Sequence, residues 1–230
     1  MADIAGSDDP VGLATVELLG ALAYGQLRSV EAAARLIALA PDVRTADQVA
    51  EVVVHELEAY RRLRDHLAER TELPTAVMDR QKAHFDAYFD RAPLDDWFGA
   101  SVFFALGLPM ASDFANAIAP VLEDATAQVV TEAIAGRPRF EQGAIEQLAT
   151  QLVDDAAIER ARHLSADLLG RALTSYQGAV GDTDALSVLL AAGEDERSAE
   201  RRVKELAIEV LGKHRRRMVE LGLEDLDDVR

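Results

Sequence analysis

The stretch Pro10–Ala40, PVGLATVELLGALAYGQLRSVEAAARLIALA, decides the fold class. Leu19, Leu22, Val30, Ala33 and Ile37 recur at spacings of three, four or their multiples, which lines them along one face of a helix. Gln26 falls inside that apolar stripe. Ser7, Asp8 and Asp9 can cap the helix start at Pro10, and Pro41 stops its end.

The same reading extends outward. It predicts helices over about Thr45–Glu69, with Thr45 as N-cap, over Pro74–Arg91, and over Pro93–Ala119 with a kink at Gly107 and Pro109. Pro120 opens the next helix, which breaks at Gly136-Arg137-Pro138 and resumes from Arg139 to Val153. Further helices are expected over Asp155–Gly178 and Thr183–Ala192. A hinge follows at Gly193-Glu194-Asp195, then a last helix over Glu196–Leu221 that ends at Gly222. The acidic end from Glu224 to Asp228 is expected to fray. There is no sustained alternation, Asn-Gly or Asp-Gly hairpin turn, repeat or low-complexity run. The chain is therefore read as all-α, with a main domain over 1–192 and a C-terminal helix and tail over 193–230.

Composition narrows the function classes. At 230 residues and 49% hydrophobic content, the chain can bury a sizeable core. With no cysteine it has no disulfide, thiolate catalyst, zinc finger or iron–sulfur ligand set. The N-terminal segment lacks a basic n-region, and its apolar run is interrupted by Glu17, so no signal peptide is read there. The longest apolar candidate, Trp97–Met110, is shorter than a membrane span of about 18 residues. A cytoplasmic protein without membrane association is expected.

A net charge of −17 opposes nucleic-acid binding in general. The segment Arg201–Arg217 runs against it, with seven Lys/Arg and two acids, a local +5 that leaves −22 elsewhere. The preferred reading is a basic helix resting on an acidic body. A partner or nucleic-acid patch is the alternative.

Polar residues on apolar stripes are the informative positions. Gln26 lies on the first helix. Glu56 sits among Val49, Val52, Val53, Tyr60, Leu63 and Leu67 on the second, and Asp113 among Leu106, Met110, Ala117 and Val121 on the Pro93–Ala119 helix. A buried carboxylate is costly unless paired, hydrogen-bonded or metal-bound, so one polar cluster inside a bundle is expected. Each could instead sit half exposed at a helix boundary. Di-metal bundles place a Glu-x-x-His motif on each of two helices. Val52, Leu63, Gln81, Arg160 and Leu211 stand three residues before the five histidines, so the chain contains no such motif. Phosphate-binding glycine loops and a serine nucleophile elbow are also missing. Glu31, Glu58, His55 and His66 read as solvated or satisfied helix-face residues. Trp97, Phe98, Phe103 and Phe104 read as core, with a dimer face or apolar pocket as alternatives.

Five stretches, in order, carry a family resemblance: LLGALAYGQL (18–27), ELEAYRRLRD (56–65), ASDF (111–114), LLGRALTSYQ (168–177) and HRRRMVELGL (214–223). Together they resemble a bacterial ferritin-like family named for its likeness to the tRNA 2-methylthio-isopentenyladenosine hydroxylase. The resemblance implies a ferritin-like four-helix bundle with additional C-terminal helices, and a di-iron site. In that family's pattern Gln26 stands at a glutamate position and Ala59 at a histidine position. Gly136-Arg137-Pro138-Arg139 replaces an Asp-Thr-Gly-His run, while Glu56 and Asp113 remain. The expectation that follows is a remnant polar cluster of Gln26, Glu56, Asp113 and Arg139, without catalytic residues, metal or cofactor, in which the Arg139 guanidinium takes the metal's electrostatic place. The leading functional expectation is a non-catalytic scaffold or protein-binding role, with an unidentified protein partner and a homodimer as one form. A di-iron hydroxylase, reaching nucleic acid through the basic C-terminal helix, and a small-ligand binder using the vacated bundle centre are the alternatives.

Overall fold

A computed structural model describes residues 9–182, 184–191 and 196–224. Among them are ten α-helices, one π-helical turn, one 3-10 turn and no strand. Helix α1 (Pro10–Leu39) starts where the Asp9 carboxylate accepts from the Val11 amide at 3.1 Å, and stops at Ala40, held extended before Pro41. Helix α2 (Val43–Ala68) is capped by Asp42, whose side chain accepts from the Thr45 amide at 2.8 Å. Thr45 is thus inside the first turn and is not the cap. Helix α3 (Pro74–Phe89) crosses α1 and α8, and the next leg comprises α4 (Trp97–Val102), a π turn (Phe103–Gly107) and α5 (Pro109–Ile118).

The π turn has a local cause. Pro109 brings no amide to the helical ladder, and the Leu108 amide reaches back five residues to the Phe103 carbonyl at 2.8 Å. Within this turn the Leu106 carbonyl meets His214 Nδ1 at 3.2 Å, while His214 Nε2 lies 3.2 Å from Ser165 Oγ. Burial holds the His214 imidazole below its ordinary pKa, so the neutral ring donates from Nδ1 and accepts at Nε2. Phe103 is wholly buried among Tyr88, Phe89 and Phe104, so Phe103 and Phe104 are core, while Trp97 and Phe98 are half-buried and pack against it. The apolar run does not end at Met110. The leg Trp97–Val121 is long and apolar enough by composition to cross a bilayer, and 72% of its most apolar window is buried inside the fold. Its hydrophobicity is that of a central core element.

A 3-10 turn (Ala119–Val121) leads to α6 (Asp124–Ile134), which packs on α2 and α5. Helix α7 (Arg137–Ala149) follows after only Ala135 and Gly136, both of them in helical backbone geometry. It begins two residues earlier than the sequence reading placed it, because Pro138 occupies the first turn, where a missing amide costs nothing. Helices α1, α2, the α4–α5 leg and the broken α6–α7 leg form the bundle. The remaining helices are α8 (Asp155–Asp182), α9 (Ala185–Ala191) and α10 (Glu196–Glu220). Of these, α8 packs on α3 and the π turn, α9 on α1, and α10 on α5 and α9.

Helix α10 ends in a Schellman motif. Gly222 has φ +68°, its amide bonds Val219 O, the Leu223 amide bonds Met218 O at 2.8 Å, and Leu223 is buried. The hinge at Gly193-Glu194-Asp195 and the acidic residues beyond Glu224 lie outside the described residues.

Gly20 marks the closest approach of α1 to α3. A Cβ there would lie 2.5 Å from Val77 Cγ1 and 3.3 Å from the Val77 carbonyl carbon. Val77 is buried and, being β-branched, stiff. The substitution Gly20→Ala is therefore expected to cost about 1–3 kcal/mol despite its better helix propensity. Thermal melting followed by circular dichroism reads it as a drop of several degrees.

Candidate functional site

Helices α1, α2, α5 and α7 bring four polar side chains together inside the bundle. The Arg137 guanidinium is 4% exposed. Its Nη2 donates to Glu56 Oε2 at 2.6 Å and to Gln26 Oε1 at 2.8 Å, and its Nη1 donates to Ser112 Oγ at 2.9 Å. The Gln26 amide closes the ring, donating from Nε2 to the same Glu56 carboxylate oxygen and to the Glu56 backbone carbonyl. Glu56 is 2% exposed and Gln26 6%. Ala59, one turn along α2 from Glu56, is buried with only a methyl group.

Arg139 does not take part. It lies on the exposed face of α7, and Arg137 makes the contacts instead. The helical phase explains this. Arg137, Glu141, Ile145 and Leu148 follow one another at spacings of four, four and three, and Ile145 and Leu148 are buried. That stripe was legible in the sequence and, traced backward, ends on Arg137. Treating Pro138 as a break, when it is a first-turn residue, hid it.

Asp113 belongs to a second ion pair. Its carboxylate accepts from Arg217 Nη2 and lies 3.9 Å from Lys213 Nζ, both on α10. The basic helix thus rests on an acidic residue of the bundle. Its other cations are partly matched as well: Lys213 pairs with Glu209 at 2.8 Å and Arg215 with Glu224 at 2.9 Å.

Glu141 stands between the two pairs and was missed in the sequence reading. Burial pushes its carboxyl up from the ordinary value, opposed by a hydrogen bond from Ser112 and by the charges of Arg217 and Arg137. Its Oε1 has no hydrogen-bond partner. His66 joins α2 to α6 through Thr126 Oγ1 at 3.0 Å, whereas His55 lies against Phe140 with ring centroids 5.2 Å apart. Glu31 and Glu58 are exposed.

The donor set does not fit a pair of metal ions. A di-metal bundle needs carboxylates and imidazoles converging from its helices. Here α1 contributes the Gln26 amide, a methyl group stands one turn from Glu56, and a guanidinium already bonds the Glu56 carboxylate. Among the described residues no group of three or more His, Cys, Asp or Glu could hold a metal ion.

Beside this polar centre, α1, α3, α5, α8 and α10 line a half-open cavity of about 260 Å³. Gln26 and Arg137 contribute to its wall, and the rest is mainly apolar, including Leu22, Phe85, Met110 and Leu173.

A family model described as a ferritin-like domain of actinomycetes matches residues 11–193. This all-α bundle belongs to that ferritin-like family. A comparison with curated proteins gave no match.

Removing one member of the buried pair strands the other. Arg137→Met is expected to destabilise the fold by roughly 3–5 kcal/mol, whereas the double variant Arg137→Met with Glu56→Leu recovers most or all of that loss. Urea denaturation of both variants decides it; a double variant no more stable than the single one would show that packing, not charge, sets the cost.

The raised Glu141 pKa has a definite sign. The folded state holds its proton to higher pH than the unfolded state, so stability present at low pH is lost as pH rises through the folded value. Glu141→Gln is expected to raise the melting temperature at pH 7 relative to wild type. That advantage should shrink as pH falls below about 4, where the carboxyl becomes protonated in the folded and the unfolded state alike.

Proposed function

We propose that this chain is a non-catalytic member of its family, a binding protein in which an internal ion pair stands where related bundles hold two metals. One observation carries the reading: the Arg137 guanidinium is bonded at once to Glu56, Gln26 and Ser112 in the bundle interior. A cation already occupies the coordination sphere that an oxygen-activating metal would need. The order of sequence stretches shared with the tRNA hydroxylase-like proteins supports descent from a metal-binding bundle, and Gln26 and Ala59 are the substitutions that accompany the loss.

A small-molecule ligand is favoured over a protein partner by the cavity of about 260 Å³ next to the ion pair. The bundle centre itself is filled by side chains, so the binding volume lies to one side of it.

Elemental analysis for iron, manganese and zinc tests this, on tag-free protein purified without chelator and again after incubation with ferrous iron under anaerobic conditions. Clearly substoichiometric metal in both samples is expected. Near two metals per chain would overturn the reading and make oxygen-dependent hydroxylation the leading function.

A further inference from the structure

The half-open cavity beside the ion pair has a wall that is apolar and incompletely covered. Leu22, Phe114, Leu169, Leu173, Val210 and Leu211, from α1, α5, α8 and α10, line it, and each is only half-buried. Apolar surface left facing water carries a cost that an apolar ligand removes.

Most polar side chains on the wall are already engaged within the chain. Glu17 accepts from Gln81 at 2.8 Å and from Arg80. Ser29 donates to the Gly25 carbonyl and Tyr176 to the Val203 carbonyl, each at 3.1 Å. Gln26 and Arg137 are bonded to Glu56, and His84 also interacts within the chain. The Tyr88 hydroxyl and Arg137 Nε are sealed in the packing and do not reach the open volume. Recognition therefore comes from apolar contact along the ligand and not from a hydrogen-bonded anchor.

Charge and shape narrow the class. Among the described residues Arg137 is the only Lys or Arg on the wall, and Glu56 at 2.6 Å already matches its charge. Glu17 lies on the same wall, in a chain of net charge −17, so an anionic group would enter with no cation to receive it. The cavity is long for its volume of about 260 Å³, since its wall follows α1 from Leu18 to Ser29, three turns or roughly 16 Å. That shape suits one extended chain better than fused rings. An apolar cavity of about 150 Å³ takes one six-carbon ring, so this volume takes about ten carbons.

We propose that the cavity takes a single uncharged hydrocarbon chain of about ten carbons, with its polar end at the open side. This rests on the small-ligand reading above and narrows it to a chemical class.

Primary alcohols from hexanol to tetradecanol, decanoate and naphthalene serve as probes, titrated into the full chain below their micellar concentrations and followed by calorimetry. Alcohol affinity is expected to rise about fourfold per methylene and to level off near ten carbons. Decanoate should bind more weakly than decanol. Leu173→Ala should move the plateau outward by up to about three carbons, the number its side chain loses. Ala172→Phe and Ala207→Phe, which fill the cavity from two different helices, should abolish binding. The gain in Leu173→Ala cannot be mistaken for misfolding. A chain-length series with no plateau, or a plateau unmoved in Leu173→Ala, overturns the site. Decanoate binding as tightly as decanol overturns the uncharged class. Naphthalene binding where no alcohol does overturns the chain but keeps the small-ligand reading, whereas no binding of any probe defeats both. None of these results touches the metal analysis.

Discussion

The buried contact between Arg137 and Glu56 is the constraint to which the rest of the interior conforms. Taking both charges out of water costs several kcal/mol each, and their attraction offsets that only when every remaining donor and acceptor finds a partner. Gln26 meets the requirement in both directions, since its amide nitrogen donates to Glu56 and its amide oxygen accepts from Arg137. A glutamate at 26 would offer no donor and would add a second buried negative charge. Glutamine at 26 and arginine at 137 therefore act as one unit, each completing the other's hydrogen bonding. Ser112 takes the other guanidinium nitrogen, so four helices are locked in rotational phase at a single point.

The same accounting explains the last helix. Asp113 is 7% exposed and would be an uncompensated buried charge without Arg217 and Lys213. The cations of α10 are thus part of how the bundle stays neutral inside, which is why a basic segment occurs in a chain of net charge −17. Glu141, facing both pairs with one oxygen unsatisfied, is the place where this balance is least complete.

Much of this was legible in the sequence. The stripes through Leu19 and Ala33 on α1 and through Glu56 and Leu63 on α2 marked the helices and the burial of Glu56, while Ile37 proves exposed because the buried face of α1 runs through Ala33 and Leu36. Burial cost required some partner for Glu56, and the family resemblance pointed to Arg139, two positions from the arginine that makes the contact. Tertiary pairing could not be read in the same way. No local pattern links Asp113 to Arg217, 104 residues away, or Leu106 to His214. Pro109 marked the kink but not its π form, and the histidine that meets the Leu106 carbonyl arrives from another helix, which periodicity does not carry.

A guanidinium and a metal ion both place positive charge beside a buried glutamate, but they differ in when that charge arrives. A metal is loaded after the ligands converge, so an apo bundle holds repelling carboxylates until it is filled. Arginine arrives with the chain, and its balance is complete as soon as α2 and α7 meet. The consequence extends to the cavity, because Gln26 and Arg137 belong to the polar centre and to the cavity wall alike. Three hydrogen bonds fix the Arg137 guanidinium in one orientation. The ion pair at the bundle centre thereby forms a rigid polar edge to an otherwise mainly apolar cavity.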